Sequence, residues 1–302
     1  MAFLDAQLDA YLRDAHAIEQ QALPHMRAAP DMAVDVPLAT AFRQHLVETE
    51  HHEQLILDRL EARGVAPYRL RYAVFKANTP TNLVSHALAY EHFELAGYEL
   101  LRRVAGLAGD GTTLVVAAAI REDERAMAER LEACFDRAVE ASLRVADRAN
   151  LDEQLNKYLA GAHAIEAEAI ELLEHAPGLA GDPELAHLYE EHLDESREHQ
   201  RLVCERLEAR GGLPSPLEHA ATRLAPRPET PAKFAAFAYA FGFLEVGAYE
   251  QLARVARRAG DDETERLCRE ISAAERGMAA GLWPKLDLAL EASLAAPAAT
   301  AA

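Results

Sequence analysis

Apolar positions along the chain recur at the spacing of an amphipathic helix, and no run alternates apolar with polar residues as a half-buried strand would. Alanine, leucine, glutamate and arginine, all good helix formers, fill the stretches between a few punctuation marks. Thr79-Pro80, Thr230-Pro231 and Asp182-Pro183 each place a capping side chain before a proline suited to the first helical turn. Asp110 and Asp261, each after a glycine, read as caps of further helices, and Gly64 and Gly211 as helix stops.

These marks occur twice because the chain repeats itself. Asp14–Leu23 aligns with Gly161–Ile170, and His45–Gly64 with His192–Gly211. Phe93–Asp110 aligns with Leu244–Asp261. Only one connecting segment differs in length, Val65–Asn78 against Gly212–Glu229, which predicts a loop there in each half. Each half therefore predicts four helices of about 25 residues, and the economical fold is all-α, two tandem four-helix bundles. The expected domains are residues 1–147 and 148–291, followed by a disordered tail of small residues over 292–302. The two repeats are expected to pack on each other as a pseudo-dimer.

The middle of each apolar stripe holds an acid. Residues seven apart on a helix differ by only about 20° around its axis, so they flank one face. Glu19 lies between Leu12 and Met26, Glu48 between Ala41 and Leu55, Glu94 between Ala87 and Leu101, and Glu124 between Ala117 and Leu131. The second half repeats the arrangement with Glu166, Glu195, Glu245 and Glu275. Four ionised carboxylates in one bundle core would each cost several kcal/mol if unpartnered. Arginine could neutralise them, with Arg59 and Arg206 the best candidates, but two divalent cations would cancel four carboxylates outright. Histidine supports the metal reading: His45, Glu48 and His52 recur as His192, Glu195 and His199 along one flank of a helix. His16 and His163 stand one turn before Glu19 and Glu166, and Tyr98 and Tyr249 one turn after Glu94 and Glu245. His51 aligns with Glu198 and ranks below His52. The candidate metal ligands are thus Glu19, His45, Glu48, His52, Glu94 and Glu124, with Glu166, His192, Glu195, His199, Glu245 and Glu275. Carboxylates with one or two imidazoles and no sulfur suit iron, with manganese and zinc as alternatives.

Composition narrows the remaining classes. The formal net charge is −19, which opposes non-specific binding to nucleic acid or to an anionic membrane. The longest apolar run, Phe234–Leu244, falls short of the about 20 residues that span a bilayer. Cys134, Cys204 and Cys268 form no Cys-x-x-Cys pair, and no basic-then-apolar leader follows Met1, so a reducing cytoplasm is expected. Phosphate-loop, dinucleotide and Gly-x-Ser-x-Gly signatures are absent, so whether the protein is an enzyme stays open.

Asp14–Gln21, His45–Thr49 and Glu94–Tyr98 together resemble the ferritin-like bacterial stress proteins of the YciE/YciF type, twice over along nearly the whole chain. The resemblance implies a ferritin-like bundle, a dinuclear metal site and a link to stress response, with no firmly assigned activity. It carries the first-helix acid onto Glu19 and Glu166, the second-helix His-x-x-Glu onto His45/Glu48 and His192/Glu195, the third-helix acid onto Glu94 and Glu245, and the fourth onto Glu124 and Glu275. The fourth helix departs from the ferritin-like pattern, with Met127 or Met278 at the histidine position and Ala128 or Ala279 where an acid often stands. One ligand, not two, is expected there, which leaves an asymmetric or mononuclear site open as the alternative. Gly242 and Ala274 replace Glu91 and Asp123 in the second half, so the first site is expected to be the better binder. The expectation is a metal-binding protein with one site per half, able to oxidise Fe(II) with oxygen or peroxide if redox-active. The rival is a non-catalytic helical scaffold whose buried acids pair with histidine and arginine.

Overall fold

The computed structural model describes residues 2–67, 79–146, 150–215 and 228–295. It divides into two compact units, Met1–Ala141 and Ser142–Ala302. The expected division at 147/148 and most of the two expected loops lie outside the described residues.

The first unit is built from α1 (Ala2–Met32), α2 (Val36–Ala62), α3 (Pro80–Ala108) and α4 (Gly111–Ala133); α5 (Phe135–Val145), after a break at Cys134, begins in this unit and ends in the second. α1 packs on α2 and α3, and α4 packs on α3 and α2, closing a four-helix ring. The sequence marks act as read. Thr79 and Asp110 accept first-turn N–H groups of α3 and α4, and Gly64 takes the left-handed conformation, φ 68°, that ends α2.

The second unit repeats the ring with α6 (Leu151–Leu173), α8 (Pro183–Ala209), α9 (Pro231–Ala259) and α10 (Asp262–Leu282). It adds a short α7 (Ala176–Leu179) and, after one 3-10 turn, α11 (Leu286–Ala295). The expected tail from 292 is therefore helical as far as Ala295. Ser293 explains this, since its hydroxyl accepts the first-turn N–H of Ala232 at 2.8 Å and so caps α9 from outside. Residues 296–302 lie outside the described residues.

Arg59 and Arg206 do not neutralise the core acids. Arg59 binds Asp110 at 3.0 Å and Thr113 at 3.0 Å, and Arg206 binds Asp261 at 2.6 Å and Thr264 at 2.7 Å. Each ties its helix to the N-terminus of the unit's fourth long helix. Leucines and alanines such as Leu8, Leu12, Leu101 and Leu131 are sealed from solvent along the helices, so the middle of each bundle is flanked by aliphatic packing.

Candidate metal centre

The apolar flanks fix what the central acids meet. Leu12 and Met26 bury one face of α1, Ala87 and Leu101 one face of α3, and Ala117 and Leu131 one face of α4. Glu19, Glu94 and Glu124 sit between those pairs and are buried with them. α2 contributes His45 and His52, both buried.

Two ligand groups result, and Glu124 belongs to both. One atom from each of His45, Glu91, Glu94 and Glu124 lies within 4.8 Å of the others, as do atoms of Glu19, His52 and Glu124. Each oxygen of Glu124 faces a different histidine: Oε1 is 2.8 Å from His52 Nδ1, and Oε2 is 3.4 Å from His45 Nε2. His45 Nε2 also lies 3.1 Å from Glu91. The outer ring nitrogens are held from behind. Asp123 faces His52 Nε2 at 3.1 Å, and Glu48 faces His45 Nδ1 at 3.0 Å while binding Arg130 at 2.6 Å. Tyr98 donates its hydroxyl to Oε1 of Glu19, the oxygen 3.9 Å from His52 Nδ1, while the other oxygen is buried without a hydrogen-bond donor.

The second core has the same plan with fewer parts. Glu166, His199 and Glu275 form one group, and His192, Glu245 and Glu275 the other. Glu275 Oε1 lies 3.0 Å from His199 Nδ1, Oε2 lies 3.6 Å from His192 Nε2, and Tyr249 donates to Glu166 at 2.6 Å.

Electrostatics show what this concentration of charge costs without a cation. Burial, followed by the charge of Glu124, pushes the Glu19 carboxyl up to about 8, against partial relief from His52 and Tyr98. Burial lifts Glu124 to about 7, and Glu94, Glu166 and Glu245 rise well above the usual carboxylate range for the same reason. Burial would discharge His52, but Glu124 and Glu19 outweigh it and raise the imidazole to about 9. Even so, both oxygens of Glu91, Glu124, Glu245 and Glu275 are sealed from solvent with no aligned hydrogen-bond donor. The histidine nitrogens lie close to them without an aligned hydrogen bond, so nitrogen and oxygen atoms face one common space. Such a donor set, hard oxygens with one imidazole per group, fits a divalent transition metal.

The model of one family, described as a domain of unknown function (DUF892), matches residues 73–144 and 150–287. The chain belongs to this family. It is a ferritin-like family, consistent with the two all-helical bundles. The crystal structure of a protein from Xanthomonas campestris pv. campestris is similar over 48% of this chain and 96% of that one, at 28% identity and a TM-score of 0.43. None of the curated proteins matches the chain.

Within this family member, the candidate residues divide cleanly. Glu19, His45, His52, Glu94 and Glu124 are brought together, as are Glu166, His192, His199, Glu245 and Glu275. Glu48 and Glu195 are not. Their side chains are 25% and 55% exposed, because the inward stripe of α2 runs through Phe42, His45, Thr49 and His52 and leaves Ala41, Glu48 and Leu55 on its edge. The bond to His45, with Arg130 behind it, holds the Glu48 carboxyl well below its ordinary range, so it is an anion that orients the ring. His16 is also outside the cluster, 2.8 Å from Glu53, and His51 is exposed. Glu91, fully buried, was missed as a candidate ligand: its counterpart is Gly242, so the pattern of acids common to both halves passes over it. Its place one turn before Glu94 was the available signal.

Proposed function

We propose that this protein binds divalent transition-metal ions in the cores of its two bundles, and that iron or manganese is the physiological ion. The observation that carries the reading is the convergence of sealed, donorless carboxylate oxygens on histidine nitrogens in both units. A purely structural network falls short in number. The first core sets four carboxylates against two imidazoles, and the nearby arginines are engaged elsewhere, Arg59 with Asp110 and Arg130 with Glu48.

When bound, iron or manganese supplies one-electron redox chemistry, with dioxygen or a peroxide as oxidant, whereas zinc supplies none. The chain's own residues do the rest. Glu124 and Glu275 each turn one oxygen to either ligand group of their core; Glu124 would be shared between two bound ions, and Glu275 has the same two-sided placement. Asp123 and Glu48 accept the outer N–H groups of His52 and His45, which turns the other ring nitrogen of each, as a lone pair, toward the cluster. The aliphatic layers on both sides keep bulk water out and raise the strength of every charge interaction inside. The resemblance to YciE/YciF-type stress proteins supports the finer reading, Fe(II) oxidation in a cytoplasmic stress response.

The test is elemental analysis of protein purified without a chelating tag, beside a Glu94→Ala/Glu124→Ala variant. Bound iron or manganese, depleted in the variant, is the expected result. Negligible metal in the parent, with higher stability once the acids are removed, would establish the scaffold instead. Oxygen consumption on adding Fe(II) then tests the oxidase reading.

A further inference from the structure

Aligning the two cores shows that the second has lost one ligand and the supports behind its histidines. Glu91 is replaced by Gly242, Asp123 by Ala274, and Arg130 by Gly281. The Glu91 substitution falls on one ligand group only, the one that in the first core includes His45. A Cβ placed on Gly242 would lie 2.9 Å from the terminal methyl of Met278, so a methionine occupies the space a longer side chain would enter. His192 is correspondingly slack: its Nδ1 is 3.6 Å from the exposed Glu195, where His45 is 3.0 Å from an arginine-backed Glu48. The Glu166 group, by contrast, keeps the same three donors as the Glu19 group, with its tyrosine in place.

Charge removes the demand for a pair. Two divalent ions balance the four carboxylates of the first core, whereas Glu166, Glu245 and Glu275 carry three charges, which a second ion would overshoot and a single ion already offsets to within one. We propose that the chain carries three divalent ions: a pair bridged by Glu124 in the first unit and a single ion on Glu166, His199 and Glu275 in the second. The inference rests on reading the cores as metal centres. It makes Glu91 and Gly242 the residues that set nuclearity.

The experiment is equilibrium dialysis of the metal-stripped full chain against Mn(II), read with electron paramagnetic resonance. Three ions per chain are expected, with the spectrum of an exchange-coupled pair beside the resolved hyperfine pattern of an isolated ion. Glu124→Ala should erase the coupled signal and keep the isolated one, and Glu275→Ala should do the reverse. Gly242→Glu should convert the isolated ion into a second pair and raise the count to four. Glu91→Gly, which removes a side chain and needs no new space, should reduce the first unit to one ion. Four ions in the parent with no isolated-ion signal, or an isolated signal that survives Glu275→Ala, overturns the inference and leaves the metal reading intact. Absence of any bound Mn(II) overturns both.

Discussion

Glu48 shows how much a side chain would contribute to the proposed metal site without touching the ion. It sits between His45 and Arg130, 3.0 Å from the ring and 2.6 Å from the guanidinium, so it holds the tilt of a candidate ligand and favours the tautomer with its N–H toward Glu48. Removing such a support typically costs about 10–100-fold in metal affinity. Glu48→Ala is therefore expected to weaken Mn(II) binding by that factor, measured by competition with a chelator of known affinity, while the ion count at saturation stays at the parent value. A lower count would mean that Glu48 swings inward and ligates directly. Glu195→Ala should have a much smaller effect, because that carboxylate is exposed and 3.6 Å from its ring. Tyr98→Phe removes a buried hydrogen bond to Glu19 and leaves an acceptor short, so a loss of about 1–3 kcal/mol is expected in denaturant melts of the metal-free chain.

At the scale of elements, each unit's second long helix performs two jobs: it supplies histidines in the middle and an arginine clamp near its C-terminus. Arg59 and Arg206 grip the capping aspartates of α4 and α10, and Arg63 and Arg210 reach back to α1 and α6 through Asp9 and Asn156. Arg59→Ala leaves Asp110 part-buried with fewer donors, so a loss of about 1–3 kcal/mol in stability is expected, with metal content unchanged by elemental analysis. A fall in metal at unchanged stability would refute this division of labour. The clamp was not legible in the sequence, because it depends on which helices meet. The caps were legible at Thr79, Thr230, Asp182, Asp110 and Asp261, because a cap is a local bargain between a side chain and the next turn. The acids of α1, α3 and α4 were legible because leucine, methionine or alanine one heptad away on both sides marks the buried face. α2 defeated that rule. Its inward face carries His45, Thr49 and His52 in mid-helix, so polarity no longer distinguishes inside from outside, and Glu48 looked as central as Glu94.

For the whole molecule, the buried charges make stability a function of pH whose sign depends on metal. Glu19 ordinarily titrates near 4.5 and is pushed up to about 8 in the fold, and Glu124 is pushed up to about 7. A raised carboxyl favours folding while it is protonated, so its contribution is complete below its unfolded value and is lost as pH climbs through the folded one. His52, raised from 6.5 to about 9, acts in the same direction over a slightly higher window. Glu48, held low, acts oppositely, and its contribution is lost only in strong acid. The metal-free chain should therefore be most stable near pH 5 and weaken steadily toward pH 9. A net loss of about 2 kcal/mol would lower the melting midpoint by roughly 4–8 °C for a unit of this size. With Mn(II) the slope should reverse, since the ions need ionised carboxylates and neutral imidazoles and compete with protons for them. Stabilisation by the ion should then grow with pH and with its free concentration. Thermal melts at pH 5, 7 and 9, with and without Mn(II), read both slopes. A metal-free midpoint that rises with pH would mean the carboxylates are solvated, and the case for cations in the cores would fall with it.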